Sequence, residues 1–457
     1  MKNFVLLLPL TILAASADAA SYAAWPNGPS PSNNPSFFPI GVWLQSATNI
    51  PEYKNIGINM YIGFYGNLDQ GSLSAQAAAQ MPLVPTQNSV GLTGAGNLII
   101  QGWDQLDEPD NAQPNGSGGY GPCISPDTVV AAYNAIKTND ATRPVFLNFG
   151  QGVSEIDYSG RGSCSGDTNY YVQASAGGDI LSFDIYPVAD YGGELELIPQ
   201  GIDNLKTWSG NQKILWQFIE ASSIGGGTPP TGAQVEAEVW MSLIHGSQGI
   251  IYFVHQFLPT FREDGIFNYP ALASAVSNIN FQVAALAPVL NSANVSNVVQ
   301  VSSSNPGVPV DFMVKQSGGA AYIFAAAMRS NSTTATFSLT GILGGMATVL
   351  GEGRQIAVTN GQFQDSFPGY GVHLYQIGSS ATNPPAAAPS LLQPVFTNNQ
   401  FQFTLAGTAG SNYVVQAVAN LAASNWISLA TNTASWLFIE SNANIHGQRF
   451  YRGVVAH

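Results

Sequence analysis

Lys213-Ile214-Leu215-Trp216-Gln217-Phe218-Ile219-Glu220 is an apolar run that closes on a lone acid. A run this short and this apolar reads as a strand buried on both faces, and the acid marks where the strand emerges. The same kind of run recurs on both sides of it. Phe38 to Leu44, Ile58 to Phe64, Met81 to Pro85, Leu98 to Trp103, Pro144 to Phe149 and Asp179 to Tyr186 precede it, and Gly249 to Val254 follows. Helix-like stretches separate the runs, so the crossovers are parallel. Eight such strands in roughly 250 residues have the number and length of a (β/α)8 TIM barrel, expected over residues 36–290.

Two intervening helices have readable ends. Ser125 followed by Pro126 is an N-cap with proline at the first helical position, and Val129, Val130, Tyr133 and Ile136 fall on one face. Thr231 with Gln234 has the capping-box spacing, Val235, Val239 and Leu243 form a face, and Gly246 can close the helix. Beyond residue 290 the pattern turns to strands with short turns, as in Ala320 to Ala326, Thr333 to Leu339 and Val372 to Tyr375. That predicts an antiparallel β-sandwich over 291–380. A Pro/Ala linker over 381–390 and a small, immunoglobulin-like all-β module over 391–457 complete the expected order.

Composition narrows the function. Of 457 residues 45% are hydrophobic and 9% charged, which excludes disorder as the main state. Thirteen Lys and Arg stand against 27 Asp and Glu, a net charge of -14, with no basic run, so nucleic acid and anionic membrane surfaces have no electrostatic support as partners. Met1-Lys2, an apolar run from Phe4 to Ala15, and Ala17-Asp18-Ala19 form the pattern of a signal peptide over 1–19, too short to span a bilayer. No later run reads as a membrane helix, and a secreted or periplasmic protein is expected. Cys123 and Cys164, the two cysteines, read most simply as one disulfide in that compartment. No HExxH or CxxC spacing occurs among them and the five histidines, so no metal and no cofactor is expected.

In a parallel barrel the chemistry lies at the C-terminal ends of the strands. The fourth run leads into Trp103-Asp104-Gln105-Leu106-Asp107-Glu108-Pro109-Asp110, and the seventh ends on Glu220. Carboxylates facing each other across a barrel mouth are what retaining glycoside hydrolysis requires, one to attack the anomeric carbon and one to protonate the leaving oxygen. An acidic loop before a proline and a salt-bridged strand end are the bland alternatives.

On these residues, together with Asp140-Ala141-Thr142-Arg143-Pro144-Val145 and Ser182-Phe183-Asp184-Ile185-Tyr186-Pro187, residues 36–290 resemble the clan A retaining (β/α)8 glycoside hydrolases. The resemblance implies Glu108 as acid/base, Glu220 as nucleophile and Tyr186 as a support for the nucleophile or the sugar. Two features depart from the clan: Asp107 stands where asparagine is usual, and no arginine lies between Tyr61 and Asn67. The pattern is that of a divergent branch. Sugar platforms are expected from Trp43, Tyr65, Trp103 and Trp216, and polar sugar contacts from Asp107, Asn148, Gln217 and His255, with Asn88 and Gln256 as further candidates. The expected activity is polysaccharide degradation, by hydrolysis of β-linked, neutral poly- or oligosaccharides. The rival is a non-catalytic carbohydrate-binding or surface-attachment protein on the same scaffold.

Overall fold

The structure, a computed structural model, describes residues 21–29, 34–111, 113–155, 166–378, 389–407, 411–421 and 425–455. The expected signal peptide, most of the expected linker, and Cys164 of the expected disulfide lie outside the described residues. Eight strands follow the eight apolar runs: β1 (Ile40–Trp43), β2 (Met60–Ile62), β3 (Leu83–Val84), β4 (Trp103–Asp107), β5 (Val145–Phe149), β6 (Ile180–Phe183), β7 (Ile214–Leu215 and Gln217–Glu220) and β8 (Ile250–Phe253). All neighbouring pairs are parallel, and β8 returns to β1 with Ile40 opposite Ile250. Single bridges, Leu83 with Ile100 and Thr86 with Asp104, join β3 to β4 and close the ring. The (β/α)8 barrel is thus complete.

The fourth strand corrects the sequence reading. Leu98 lies in a 3-10 turn, Asn97–Ile99, and β4 begins only at Trp103. The strand therefore runs on through Asp104 and Gln105 to Asp107, which moves two polar residues from the expected loop into the barrel wall. Inside the ring, Met60, Ile62, Val84, Phe146, Ile180, Ile214, Phe218 and Ile251 fill the centre, as the layered packing of such barrels demands. The bottom is plugged by Tyr22, whose hydroxyl donates to the Gln248 carbonyl at 3.0 Å and accepts from the Trp216 indole at 2.6 Å.

The capping signals act as expected. Ser125 accepts from the Thr128 N–H, and Thr231 and Gln234 form the reciprocal box at the start of helix Gly232–His245, which ends at Gly246 with a φ of 111°. A left-handed residue there carries no steric cost only for glycine. Helix Pro270–Leu290 has the length and hydropathy of a membrane span, which the sequence reading did not anticipate. Its Leu272, Val276, Ile279, Val283 and Leu286 are buried in the protein core.

The strands from Val299–Ser303 to Val372–Ile377 form one eight-stranded antiparallel sheet around Phe337, Phe363, Phe367 and Tyr375. It is fixed to the barrel where Trp240 stacks on Phe324, ring centres 5.2 Å apart, and where His245 lies between Asp203 and Asp311 at 2.9 and 3.2 Å. The strands from Ser390–Thr397 to Phe450–Val455 pair as two three-stranded sheets around Phe403, Leu405, Tyr413 and Phe438. That module touches the barrel through Ser435, which donates to Asn278 at 3.0 Å.

Candidate active site at the barrel mouth

Register places the polar residues of β4, β5 and β6. Asn148 on β5 lies opposite Asp107 on β4 and Ser182 on β6, and residues in register on parallel neighbours share a face. The three side chains connect accordingly. The Asn148 amide donates to Asp107 and to Asp184, each at 3.0 Å, while its carbonyl oxygen accepts the Ser182 hydroxyl at 2.7 Å. Asp184 continues β6 by one residue, its N–H bonding the Phe149 carbonyl at 3.0 Å. Tyr186, two residues on, turns its hydroxyl to Asp184.

Glu108 enters the same group. It follows β4 directly, its N–H donates to the Asn148 carbonyl at 3.0 Å, and its φ of 42° is a left-handed conformation for a residue with a side chain. Such a conformation costs on the order of 1–3 kcal/mol and persists where surrounding contacts hold it. Here they are hydrogen bonds to the Glu108 backbone carbonyl, from the Asn111 backbone N–H at 3.0 Å and the Gln113 side-chain amide at 3.2 Å.

The electrostatics follow from this crowding. Burial first, then the charges of Glu108 and Asp107, hold the Asp184 carboxyl well above the usual carboxylate range, against the pull of the Asn148 and Tyr186 hydrogen bonds. Burial and the same acids push the Tyr186 phenol up. Asp104, whose registered neighbour Phe146 points into the barrel, is likewise held high by burial and by Asp107. A carboxyl whose hold on its proton is strengthened by burial and by neighbouring acids is what acid catalysis needs.

Glu220 occupies a different network. It ends β7, as expected, but its side chain is fully enclosed, and its two oxygens accept the N–H groups of Val188 at 2.5 Å and Ala189 at 3.1 Å. Burial raises it to about 7, the two amides pull it down, and Asp190 adds to the rise. The charge of Glu108 acts on Asp184.

The expected sugar contacts separate in the same way. Asp107, Asn148 and Tyr186 meet at the mouth. Tyr65 stands there too, 45% exposed, stacked on Phe261 with centres 5.8 Å apart. His255 is buried, its Nε2 bonded to the Leu44 carbonyl at 3.0 Å and its ring against Tyr65, Phe253, Phe257 and Phe261. Trp43 lines the inner wall against Phe218 at 5.4 Å. Three candidates are structural. Trp216 sits at the opposite end of the barrel on Tyr22, Trp103 is fully buried with its indole bonded to Asp140 at 3.0 Å, and the Gln217 amide is tied to the Phe183 and Phe218 carbonyls. Asn88 caps helix Ser89–Thr93, and Gln256 accepts from Asn268 and Tyr269.

The sequence reading passed over Asp184, Phe257 and Phe261 as site residues. Asp184 lies within the run Asp179 to Tyr186, an acid in an apolar stretch as Glu220 is, and the same argument from the cost of burying an acid applies to it. Phe257 and Phe261 carry no such signal, because they lie in the loop after β8, and only the fold brings them to Tyr65.

No family model matches the chain, and no curated protein matches it. Among solved structures it is similar to an α-amylase from Geobacillus thermoleovorans complexed with acarbose, at 8% identity over 75% of this chain and 99% of that one, TM-score 0.47. It is similar also to a family 30 subfamily 8 glycoside hydrolase, a xylanase from Clostridium acetobutylicum, at 11% identity over 75% and 96% of the two chains, TM-score 0.40. A third is an α-L-arabinofuranosidase from Thermotoga maritima in an arabinose complex, at 10% identity over 75% and 96%, TM-score 0.42. Likenesses this distant assign neither substrate nor residue roles to this chain, and the barrel stands on its own strand pairings.

Proposed function

We propose that the chain is an exported glycoside hydrolase whose reaction takes place at the mouth of the barrel, between Glu108 and Asp184. The observation that carries this reading is that Asn148 donates to both Asp107 and Asp184, that Tyr186 bonds Asp184, and that burial and the charges of Glu108 and Asp107 hold the Asp184 carboxyl well above the usual carboxylate range. Hydrolysis of a glycosidic bond needs a proton donor for the leaving oxygen and a second carboxylate to attack the anomeric carbon or to activate water. Asp184 supplies the proton, and Glu108, on the neighbouring β4 end, is the second carboxylate. This reassigns the roles anticipated from the sequence, where Glu108 held the proton and Glu220 attacked, because both oxygens of Glu220 are already engaged by Val188 and Ala189.

Asp107 and Asn148 hold sugar hydroxyls in this reading. Tyr65, Phe257 and Phe261 offer a stacked aromatic surface beside the acids, suited to the C–H faces of pyranose rings. The substrate is a neutral glycan, in keeping with the scarcity of Lys and Arg, and the export is that of the N-terminal signal pattern.

Leaving-group dependence tests the assignment. Asp184→Asn is expected to keep activity on dinitrophenyl glycosides, whose leaving group needs no proton, and to lose it on alkyl glycosides of the same sugar. Equal losses on both would remove Asp184 from the acid role. Binding of glycans without turnover of any member of an α- and β-aryl glycoside panel would favour the non-catalytic reading.

A further inference from the structure

We infer that Glu238 shares a proton with Glu220 and, through it, holds the segment carrying Asp184 and Tyr186 on the end of β7, which makes Glu238 a positioning residue for the mouth carboxyls. Only the effect on turnover depends on the hydrolase reading above.

Glu238 lies in the middle of helix Gly232–His245, between Val235 and Val239 on one side and Ser242 on the other, and is as fully enclosed as Glu220. Apart from the backbone of Glu220 itself, neither oxygen of Glu238 has a hydrogen-bond donor. Two adjacent carboxylates repel, and a buried charge without a partner is among the most costly groups in a protein interior. A proton removes both difficulties, because the acid form of Glu238 donates to Glu220 and the two side chains then bond each other. Burial first, and then the charge of Glu220, hold Glu238 well above the usual carboxylate range. The groups facing the pair are Asp190, whose charge raises Glu220, and the Tyr252 hydroxyl on β8, which donates to Asn280 at 2.8 Å. Among the described residues no cation bonds to either carboxyl.

The geometry gives this proton a consequence at the mouth. Glu220 receives Val188 and Ala189 N–H groups, which are the second and third residues of the short helix Pro187–Asp190. That helix begins directly after Tyr186, three residues beyond Asp184. The bond from Glu238 keeps Glu220 oriented and electron-rich as the acceptor of those amides. The chain from the outer helix to the mouth is therefore Glu238, Glu220, the 188–189 amides, and the Asp184–Tyr186 segment.

Two variants separate donor from charge. Glu238→Gln keeps a donor and cannot titrate, whereas Glu238→Leu keeps volume and has neither property. With a shared proton, the wild-type unfolding constant between about pH 6 and 8 rises more steeply than that of Glu238→Gln, by up to about tenfold per pH unit for one proton. Hydrogen exchange at the Val188 and Ala189 amides is expected to be slow in wild type and in Glu238→Gln, and at least about tenfold faster in Glu238→Leu. kcat is expected to fall in Glu238→Leu and recover in Glu238→Gln at constant KM. Equal pH slopes in wild type and Glu238→Gln would overturn the shared proton, and this measurement stands even where Glu238→Leu does not fold. Unchanged exchange in Glu238→Leu would overturn the positioning. If both substrate-free measurements come out as expected and no glycoside is turned over, the hydrolase reading fails and this one remains.

Discussion

Replacing Asn148 by alanine would remove the residue that ties the mouth together, and the structure allows its effect to be worked out. Asn148 is 3% exposed, donates to Asp107 and Asp184 at 3.0 Å, and accepts from Ser182 at 2.7 Å. A hydrogen bond between neutral groups is worth about 0.5–1.5 kcal/mol, and a buried hydroxyl left without its partner costs about 1–3 kcal/mol. Asp107 faces water and rehydrates, so its bond counts for little. The bond to Asp184 and the stranded Ser182 hydroxyl together give a destabilisation of about 1.5–4.5 kcal/mol, read as the shift in the urea unfolding midpoint at constant slope. The loss has a pH signature. Asp184 is raised above its unfolded value, so its contribution to stability is complete below that value and disappears as pH rises through the folded one. Asn148→Ala removes a donor that favours the charged form, raises the folded value further, and therefore costs more stability above the folded value than below the unfolded one. The control Ser182→Ala, which removes the hydroxyl itself, should cost about 1 kcal/mol. A loss under about 1 kcal/mol for Asn148→Ala, or one independent of pH, would refute the tie between Asn148 and a protonated Asp184.

Other expectations follow from the same geometry. Glu108→Gln should abolish hydrolysis of alkyl and aryl glycosides alike while leaving the unfolding midpoint within about 1 kcal/mol of wild type, as judged by urea titration. Incubation with 2-fluoro glycosides of both anomeric series should leave a label on Glu108 in a retaining enzyme, with carboxyl groups about 5–5.5 Å apart, or none in an inverting one at about 6.5–9.5 Å; a label on Glu220, found by peptide mapping, would restore that residue as the nucleophile. Phe261→Ala and Tyr65→Ala should raise KM for soluble polysaccharide about tenfold and leave aryl monoglycosides unaffected, the loss of one stacking contact each. For His245, burial lowers the pKa but hydrogen bonds and charges from Asp203 and Asp311 outweigh it and raise the ring from 6.5 to about 9, so its contribution is complete below 6.5 and is lost as pH rises through 9. Because both aspartates are about half exposed, that contribution is about 1–2 kcal/mol, and His245→Gln should flatten the thermal-stability profile over that range.

The eight runs from Phe38 to Val254 determined the barrel by themselves, because a strand covered on both faces must be apolar throughout, and such runs separated by helices have few ways to pair. The caps at Ser125 and Thr231 were equally legible, since a cap is a local bond between residues a few positions apart. Leu98 was not: nothing in an apolar stretch distinguishes a 3-10 turn from the start of a strand, and the pairing of Trp103 with Val145 decided it. The mouth was legible as a place, at the ends of β4 and β7, but the contacts among its carboxyls were not. Sequence shows Asp107, Glu108, Asp184 and Glu220 in or soon after apolar runs, and it cannot show which of them face one another. Register along β4, β5 and β6 brings Asp107, Asn148 and Ser182 into one row and Asp184 to its end. The short helix Pro187–Asp190 takes both oxygens of Glu220, and a helix on the outside of the barrel supplies Glu238 behind it. Burial and neighbouring charge set which carboxyl keeps its proton, and both are properties of residues far apart in the chain and close only once it has folded.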